Sequence, residues 1–382
     1  MTTRRTLLGS LPVGAAGVAA TALSWQSNYQ VSKRELLAPQ QFGAAGDGQA
    51  DDTLPLTAWL ASGSEGQTLR LPAGTYRTTR ALRTRIGGED RGLRIIGDGA
   101  ANTAVILTGA GSEPVLSVRG NMPSFDHFTL SGLRLERPDG GMAGLSTGAG
   151  LQMENVRHFA IDDLRTFRNG IGMHLIGCLN GRITGLLSYY DKQGMRLEKG
   201  PYLATPNVIA IDHSSILASL RIGVEVIGGT SIAMRGTGIE STGIEAPSHA
   251  ATGLLMRDAG HAGGVAIAAD CLYFEDNHGS DIVIEHPDRP LTYRFVSCVF
   301  NRFAKSALAS SILVRSGNRA GAPPAILDLS TSAFLGYGDD YRALPERPAV
   351  GFDFPNGYDG LRLYDEQTLY QFAKERPQVP AR

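Results

Sequence analysis

Seven times along the chain, an apolar–x–apolar–polar unit appears shortly after a glycine or another turn residue. The units are Leu151-Gln152-Met153-Glu154, Ile171-Gly172-Met173-His174, Met195-Arg196-Leu197-Glu198 and Ile222-Gly223-Val224-Glu225, then Leu254-Leu255-Met256-Arg257, Ile282-Val283-Ile284-Glu285 and Ile312-Leu313-Val314-Arg315. Their last residues are separated by 20, 24, 27, 32, 28 and 30 positions. Alternation with period two is a strand signal. Steps of this size suit one coil with variable loops and are too irregular for a helical solenoid. A second strand family lies between the units: Phe128-Thr129-Leu130, Phe159-Ala160-Ile161, Arg182-Ile183, Val208-Ile209-Ala210-Ile211, Ile232-Ala233-Met234 and Val265-Ala266-Ile267. Together they predict an all-β stack of coils. Its inward residues form aliphatic ladders and its outward residues form surface ladders, with neighbours about 4.8 Å apart.

Composition agrees with such a stack. Of 382 residues 42% are hydrophobic and 19% charged, enough apolar material for a sizeable core and too few charges for a disordered chain. The 48 glycines exceed the average usage of roughly 7% and have no period of three, which excludes collagen. Arg168-Asn169-Gly170, Asp191-Lys192-Gln193-Gly194 and Asp276-Asn277-His278-Gly279 read as turns feeding the first strand family. Thirty-six basic residues against 37 acidic ones give a net charge of -1, so no global basic field recruits nucleic acid or anionic lipid.

The chain begins Met1-Thr2-Thr3-Arg4-Arg5-Thr6-Leu7-Leu8, followed by a Gly/Ala/Val/Leu stretch and a small-residue site at Ala20-Thr21-Ala22. This resembles a bacterial twin-arginine export signal over 1–22, which implies a periplasmic or secreted protein carried across the membrane already folded. No other stretch approaches the roughly 18–20 apolar residues of a membrane span, so none is expected after signal removal.

After a linker at 23–41 comes Phe42-Gly43-Ala44-Ala45-Gly46-Asp47-Gly48-Gln49-Ala50-Asp51-Asp52-Thr53, a short apolar segment ending in Ala58-Trp59-Leu60, and Leu69-Arg70-Leu71-Pro72-Ala73-Gly74-Thr75-Tyr76. Both halves resemble the opening segment of the pectate-lyase-like superfamily, which includes rhamnogalacturonase- and epimerase-type enzymes. The resemblance implies a right-handed single-stranded parallel β-helix over 42–316 with a short N-terminal capping helix. Asp51-Asp52 is read as the N-cap of that helix rather than as a catalytic pair. Residues 317–382, interrupted by Pro323, Pro324, Pro345, Pro348 and Pro355, are expected to form a C-terminal cap or oligomer contact, with a short helix from Asp365 to Lys374.

The fourth positions of the repeat predict an outward column of Glu154, His174, Glu198, Glu225, Arg257, Glu285 and Arg315. A second outward column holds Gln152, Gly172, Arg196, Gly223, Leu255, Val283 and Leu313. In that register Glu198 and Glu225 sit one strand apart, like charges that need a cation, Arg196 or a shared proton. Two carboxyls about 5–5.5 Å apart suit retaining glycoside hydrolysis and roughly 6.5–9.5 Å suits inversion. The candidate catalytic residues are therefore Glu198, Glu225, Glu154 and His174, with Arg196, Gln152, Tyr189 and Tyr190 as candidate substrate contacts. The alternative is a solvated face whose charges pair along the ladder. A third polar column, Ser131, Asp162, Thr184, Asp212 and Arg235, follows the second strand family. Its Asp162-Asp163 and Asp212-His213 are read as corner residues bonding the backbone.

Polygalacturonase-type relatives carry N-T-D, D-D, G-H-G and R-I-K motifs. Here Gly260-His261-Ala262-Gly263 is not G-H-G, no R-I-K occurs, and Asp162-Asp163 falls on the other ladder. Pectate lyases hold calcium with clustered aspartates. No such cluster falls on the first ladder, so calcium is left as an unsupported option and no other cofactor is expected. Cys178, Cys271 and Cys298 lack zinc-site spacing; buried free thiols are favoured over a Cys271–Cys298 pair. The resemblance implies an exported glycoside hydrolase or polysaccharide lyase, monomeric or trimeric, partnered by an acidic or bacterial extracellular polysaccharide. Against it stand a non-catalytic carbohydrate-binding or cell-envelope β-helix and a tailspike-like adhesin.

Overall fold

A computed structural model describes residues 36–63, 68–86, 92–109, 111–121, 127–138, 147–202, 205–245, 250–257, 265–285, 292–303, 310–315, 325–337, 349–353 and 361–370. The expected export segment 1–22, the start of the linker and Gly260-His261-Ala262-Gly263 lie outside them.

Every strand pairing among the described residues is parallel, and each coil lies in register on the previous one. The chain is a right-handed parallel β-helix with three faces, one more than the two strand families of the sequence. The first face is a ten-stranded sheet running from Leu82–Arg85 to Val350–Asp353. The other two form a continuous 21-stranded sheet because long strands bend across the corner between them. Strand Arg157–Phe167 pairs with Leu179–Thr184 through its first half and with Leu187–Tyr189 through its second.

That bend is made by residues in the left-handed region: Asp163, His213, Cys271, Ser297 and Thr331 share it with Gly132, Gly185 and Gly236. A one-residue bend of this hand turns the chain without a loop, and it tolerates side chains. The predicted polar column alongside is correct, since Ser131, Asp162, Thr184, Asp212 and Arg235 are successive register partners. Asp163 bonds backbone as expected, its Oδ2 accepting from Ala100 N at 2.9 Å.

The interior is filled by columns. One of them changes chemistry along the axis, from Thr166 and Ser188 through Ile216 and Ile239 to Phe274, Phe300, Phe334 and Tyr370. The four rings stack with centroids 5.1, 4.4 and 5.1 Å apart. Each such pair adds about 0.5–1.5 kcal/mol beyond its buried area.

These stacks correct the expected C-terminal boundary. Strands Ala325–Asp328, Ala333–Tyr337, Val350–Asp353, Leu361–Tyr364 and Leu369–Tyr370 continue the coils past residue 316. The short helix expected from Asp365 is a turn followed by strand Leu369–Tyr370, because Tyr370 completes the ring ladder on Phe334.

At the other end, helix Thr53–Ser62 buries Leu56, Trp59 and Leu60. The end of the linker is not free: Leu37 bridges Leu69 and accepts a hydrogen bond from Trp59 Nε1 at 2.8 Å. The two aspartates divide the capping work differently from expectation. Asp51 Oδ1 accepts from Thr53 N, while Asp52, 1% exposed, turns back and accepts from Ala45 N (2.7 Å) and Gly46 N (3.1 Å). Asp52 therefore clips the opening turn onto the cap. Cys178, Cys271 and Cys298 are free thiols; Cys178 and Cys298 are buried, whereas Cys271 is exposed at its bend. Burial pushes the Cys178 and Cys298 thiols up to about 12. No described helix is long and apolar enough to cross a membrane.

Candidate functional site

The ten-stranded face carries two outward columns, and both differ from the predicted ones. His174 stacks on Gln152 and Arg196, and Arg196 stacks on Glu225, so one column reads Ser117, Gln152, His174, Arg196, Glu225, Leu255. The other reads Arg119, Glu154, Ile176, Glu198, Ile227, Arg257, Glu285, Arg315. His174 and Glu225 thus belong one column over from their predicted places. Gly172 and Gly223 belong to neither column.

The glycines instead form their own ladder, in which Gly150, Gly172, Gly194, Gly223 and Gly253 occupy equivalent positions. A Cβ on Gly172 would lie 2.5 Å from Asp191 Oδ2, Gly194 O and Thr166 Oγ1. At Gly172 the strand passes over a buried polar cluster; at Gly194 and Gly223 a side chain would meet Ile216 or Ile239 and the next coil's carbonyl oxygen. Asp191 accepts from Thr166 Oγ1 (2.6 Å), Ser188 Oγ (2.7 Å), Asn169 N (2.7 Å) and Asn169 Nδ2 (3.0 Å). Burial pushes its carboxyl up to about 6 against those donors.

On the outward side, His174 Nε2 lies 2.7 Å from Glu198 Oε1, and Arg196 Nη2 donates to Glu198 Oε2 at 2.7 Å. Partial burial would raise the Glu198 carboxyl. The His174 hydrogen bond and the His174 and Arg196 charges outweigh it and hold the group below the usual range. Glu225, 5% exposed, accepts from Gln193 Nε2 at 2.9 Å and lies 3.6 Å from Arg196 Nε and 3.4 Å from Arg257 Nε. Arg257 and Arg315 then clamp Glu285 at 3.1 and 3.2 Å. Glu198 and Glu225 are therefore not stacked carboxyls in need of a shared proton; Arg196 lies between them. Gln193 and Arg257 complete this arrangement; Arg257 stands in the predicted outward column without a site role, and Gln193 falls within a predicted turn.

Gln152 and Glu154 line a different part of the same face. With Arg83, Thr84, Arg85, Ser117 and Arg119 they enclose a cleft of about 280 Å³ at its N-terminal end. Glu154 Oε1 pairs with Arg119 Nη2 at 3.2 Å. Tyr189 and Tyr190 stand at the corner from the third face. They form an aromatic cluster with Phe167, with centroids 5.8 Å (Tyr189) and 6.4 Å (Tyr190) from its ring and 4.2 Å from each other. Tyr190 precedes strand Gln193–Glu198, which Glu198 ends, so roughly 16 Å of strand separates the tyrosines from the His174–Glu198 contact.

A stacked carboxylate pair does exist, on the third face. Glu240 is the register partner of Glu275, and Glu275 Oε1 accepts from Asn301 Nδ2 at 3.2 Å. Burial, then the Glu275 charge, raise the Glu240 carboxyl. The sequence signal was available: Gly238-Ile239-Glu240 and Tyr273-Phe274-Glu275 are equivalent three-residue strands. Among the described residues, no group of three or more His, Cys, Asp or Glu is placed to hold a metal ion.

No protein-family model matches the chain, and no characterised protein matches it by sequence. Solved structures do match. ORF18 of Geobacillus virus E2 superposes with a TM-score of 0.59 at 13% identity, over 84% of this chain and 62% of the viral protein, less than two thirds of its length. The A-module of the mannuronan C-5 epimerase AlgE4 of Azotobacter vinelandii gives 0.54 at 16% identity, over 87% of this chain and 98% of the module. The catalytic unit of the thermostable alpha-1,3-glucanase of Streptomyces thermodiastaticus gives 0.55 at 14% identity, over 88% and 69%. What the chain shares with each of them is the parallel β-helix fold.

Proposed function

We propose that the chain is an exported enzyme acting on an acidic polysaccharide, and that it works on the ten-stranded face at His174 and Glu198. The observation that carries the reading is the 2.7 Å contact between His174 Nε2 and a Glu198 carboxylate kept ionised by His174 first and then by Arg196. Once the imidazolium sheds its Nδ1 proton, the carboxylate still accepts Nε2–H and Nδ1 keeps its lone pair, the arrangement of an oriented general base. Glu198 held as an anion is a poor proton donor, and Glu225 is tied to two arginines and Gln193. A retaining carboxyl pair is therefore disfavoured here, and proton abstraction is favoured. In β-elimination His174 Nδ1 takes the proton α to a uronate carboxyl. The electron pair forms the new C=C bond, the glycosidic C–O bond breaks, and water protonates the leaving oxygen. Arg83, Arg85 and Arg119, in the cleft along the same face, supply positive charge for an acidic chain. The shared fold with polysaccharide-acting proteins supports the substrate class.

The Glu240–Glu275 stack supports a second reading, glycoside hydrolysis. A carboxyl raised by burial is the acid and its neighbour the nucleophile.

The test is to incubate the purified protein with pectins and bacterial exopolysaccharides and to weigh the products. Elimination leaves an unsaturated end, while hydrolysis adds water. Unsaturated products lost in His174→Ala and strongly reduced in Glu198→Gln support the lead. Hydrated products lost only in Glu240→Gln transfer the assignment to the third face. Glycan binding with no product in any panel makes the chain a carbohydrate-binding β-helix. Export is tested by fractionating cells that express the full chain, with Arg4→Lys/Arg5→Lys expected to retain it in the cytoplasm.

A further inference from the structure

Among the described residues, one buried guanidinium has two nitrogens that no hydrogen-bond acceptor meets. Arg137 follows strand Phe128–Glu136 and is only 2% exposed. Its Nη1 donates to Gly109 O at 3.1 Å, while Nε and Nη2 have no acceptor. Those two nitrogens form the edge of the guanidinium that carries parallel N–H bonds, the edge that meets a carboxylate bidentately. The backbone around it is glycine: Gly109 and Gly111 line the same cleft, and a Cβ on Gly148 would lie 2.6 Å from Nη2. Among the described residues no acceptor meets either nitrogen, although the Glu113 carboxylate lines the same cleft. Glu113 is the nearest influence and partly offsets the depression of Arg137 by burial, but its carboxylate is bonded to Arg83. A desolvated guanidinium with two orphan donors is costly unless an anion arrives to meet them.

Arg137 lines a cleft of about 500 Å³ between the capping helix and the first coils. Arg80 and Arg83 stand in its wall with the hydroxyls of Thr53, Thr57, Thr79 and Thr108. Thr53 and Leu54 belong to the first turn of the ten-residue capping helix, whose N-terminus already carries the Asp51 carboxylate. Arg83 lines both this cleft and the smaller one holding Gln152 and Glu154, so the two adjoin along the ten-stranded face.

We propose that this cleft is a binding subsite for a carboxylated sugar, in which Arg137 turns its covered Nε/Nη2 edge out to the carboxylate and the threonine hydroxyls, whose protons are already donated within the protein, accept from the sugar's own. The choice of sugar rests on the polysaccharide reading above; the anion site does not, and neither depends on which residue performs chemistry.

The experiment is calorimetric titration of the full chain with oligogalacturonate, oligomannuronate, their carboxyl-reduced neutral forms and inorganic sulfate, alongside thermal melts. Expected is binding of one or both oligouronates, none of the neutral forms, and at least a tenfold loss in Arg137→Met. Because Met removes a buried guanidinium with two unmet donors, that variant should melt at or above the parent temperature, whereas a merely structural arginine would lower it. Arg137→Lys, which keeps the charge without the fork, should also lose most of the affinity. Glu113→Gln should bind several-fold tighter, since it removes the competing carboxylate. Unchanged oligouronate affinity in Arg137→Met and Arg137→Lys, or equal binding of neutral forms, overturns the proposal. Sulfate binding in place of uronate overturns the sugar assignment. Turnover is not read, so failure of the catalytic reading leaves these outcomes intact.

Discussion

Glu225 stacks on Arg196, and Glu198 does not: the two carboxylates stand on adjacent coils but in different columns, with the arginine 2.7 Å from one and 3.6 Å from the other. Their surroundings assign them different work. Glu198 keeps one oxygen on His174 and remains partly exposed; Glu225 is buried under Gln193, Arg196 and Arg257.

Glu225→Gln is therefore expected to act on stability and Glu198→Gln on turnover. Removing one partner of a buried, charge-paired carboxylate costs about 3–5 kcal/mol, while an exposed pair is worth about 1 kcal/mol or less. Glu225→Gln should lower the urea midpoint clearly and leave kcat per folded molecule within a few-fold. Glu198→Gln should keep the midpoint and lose most of kcat. The opposite pattern would place the chemistry at Glu225.

The repeat and the fold it implies were legible in the sequence, and the columns were not. Period-two alternation identifies the face a residue points to, and a slip of one residue flips every side chain. A slip of two leaves the alternation intact. The second and fourth apolar–x–apolar–polar units begin two residues early, at Ile171 and Ile222, whereas Met173 and Val224 are the true partners of Leu151 and Met195. With the correct partners, the last residues are Glu154, Ile176, Glu198, Ile227, Arg257, Glu285 and Arg315. The glycines of the first five units carry the missing registration, since Gly150, Gly172, Gly194, Gly223 and Gly253 all precede the partner residue by one. The ion pairs crossing between columns depend on side-chain reach and could not be read from spacing at all. Arg137 was equally hidden, because only its burial shows that no acceptor meets two of its nitrogens.

The two kinds of glycine should respond differently to a side chain. Gly172→Ala puts a methyl group 2.5 Å from two buried side-chain oxygens and a carbonyl oxygen. Overpacking of this kind costs about 1–3 kcal/mol, and the fixed backbone partner places it toward the upper end. Gly236→Asn falls in the bend column that His213 and Cys271 already occupy with positive φ. It should cost about 1 kcal/mol or less. Chemical denaturation of the two variants checks this; equal losses would refute the close-packed ladder.

Asp281 takes the next place in the glycine ladder after Gly253, and Arg302 meets it there. Arg302 Nε lies 3.0 Å from Asp281 Oδ2, Asn277 Nδ2 is 2.9 Å from Asp281 Oδ1, and both charged groups are at most 2% exposed. Asp281→Gly alone removes the carboxylate that meets a buried guanidinium and should cost about 3–5 kcal/mol. Arg302→Met alone leaves a buried carboxylate and should cost a similar amount. The double variant should cost far less than both together, because it extends the glycine ladder and leaves no buried charge. A double-mutant cycle in urea measures the coupling, and additive losses would show that the pair does not act as a unit.

Asp191 gives the fold a pH dependence of defined sign. Burial raises its carboxyl from the ordinary 3.8 to about 6 in the folded protein. A group raised in this way favours the folded state at low pH, where both states are protonated, and that contribution is lost as the pH climbs from about 4 through 6. The difference corresponds to about 3 kcal/mol across the window. Asp191→Asn cannot ionise, so the parent's stability relative to this variant should fall by that order between pH 4 and pH 7 and stay level above. Urea midpoints at pH 4, 5, 6 and 7 test it, with the variant as the reference at each pH. If the parent instead gains on the variant as the pH rises, the four donors from Thr166, Ser188 and Asn169 outweigh burial, and Asp191 is held as an anion in the fold.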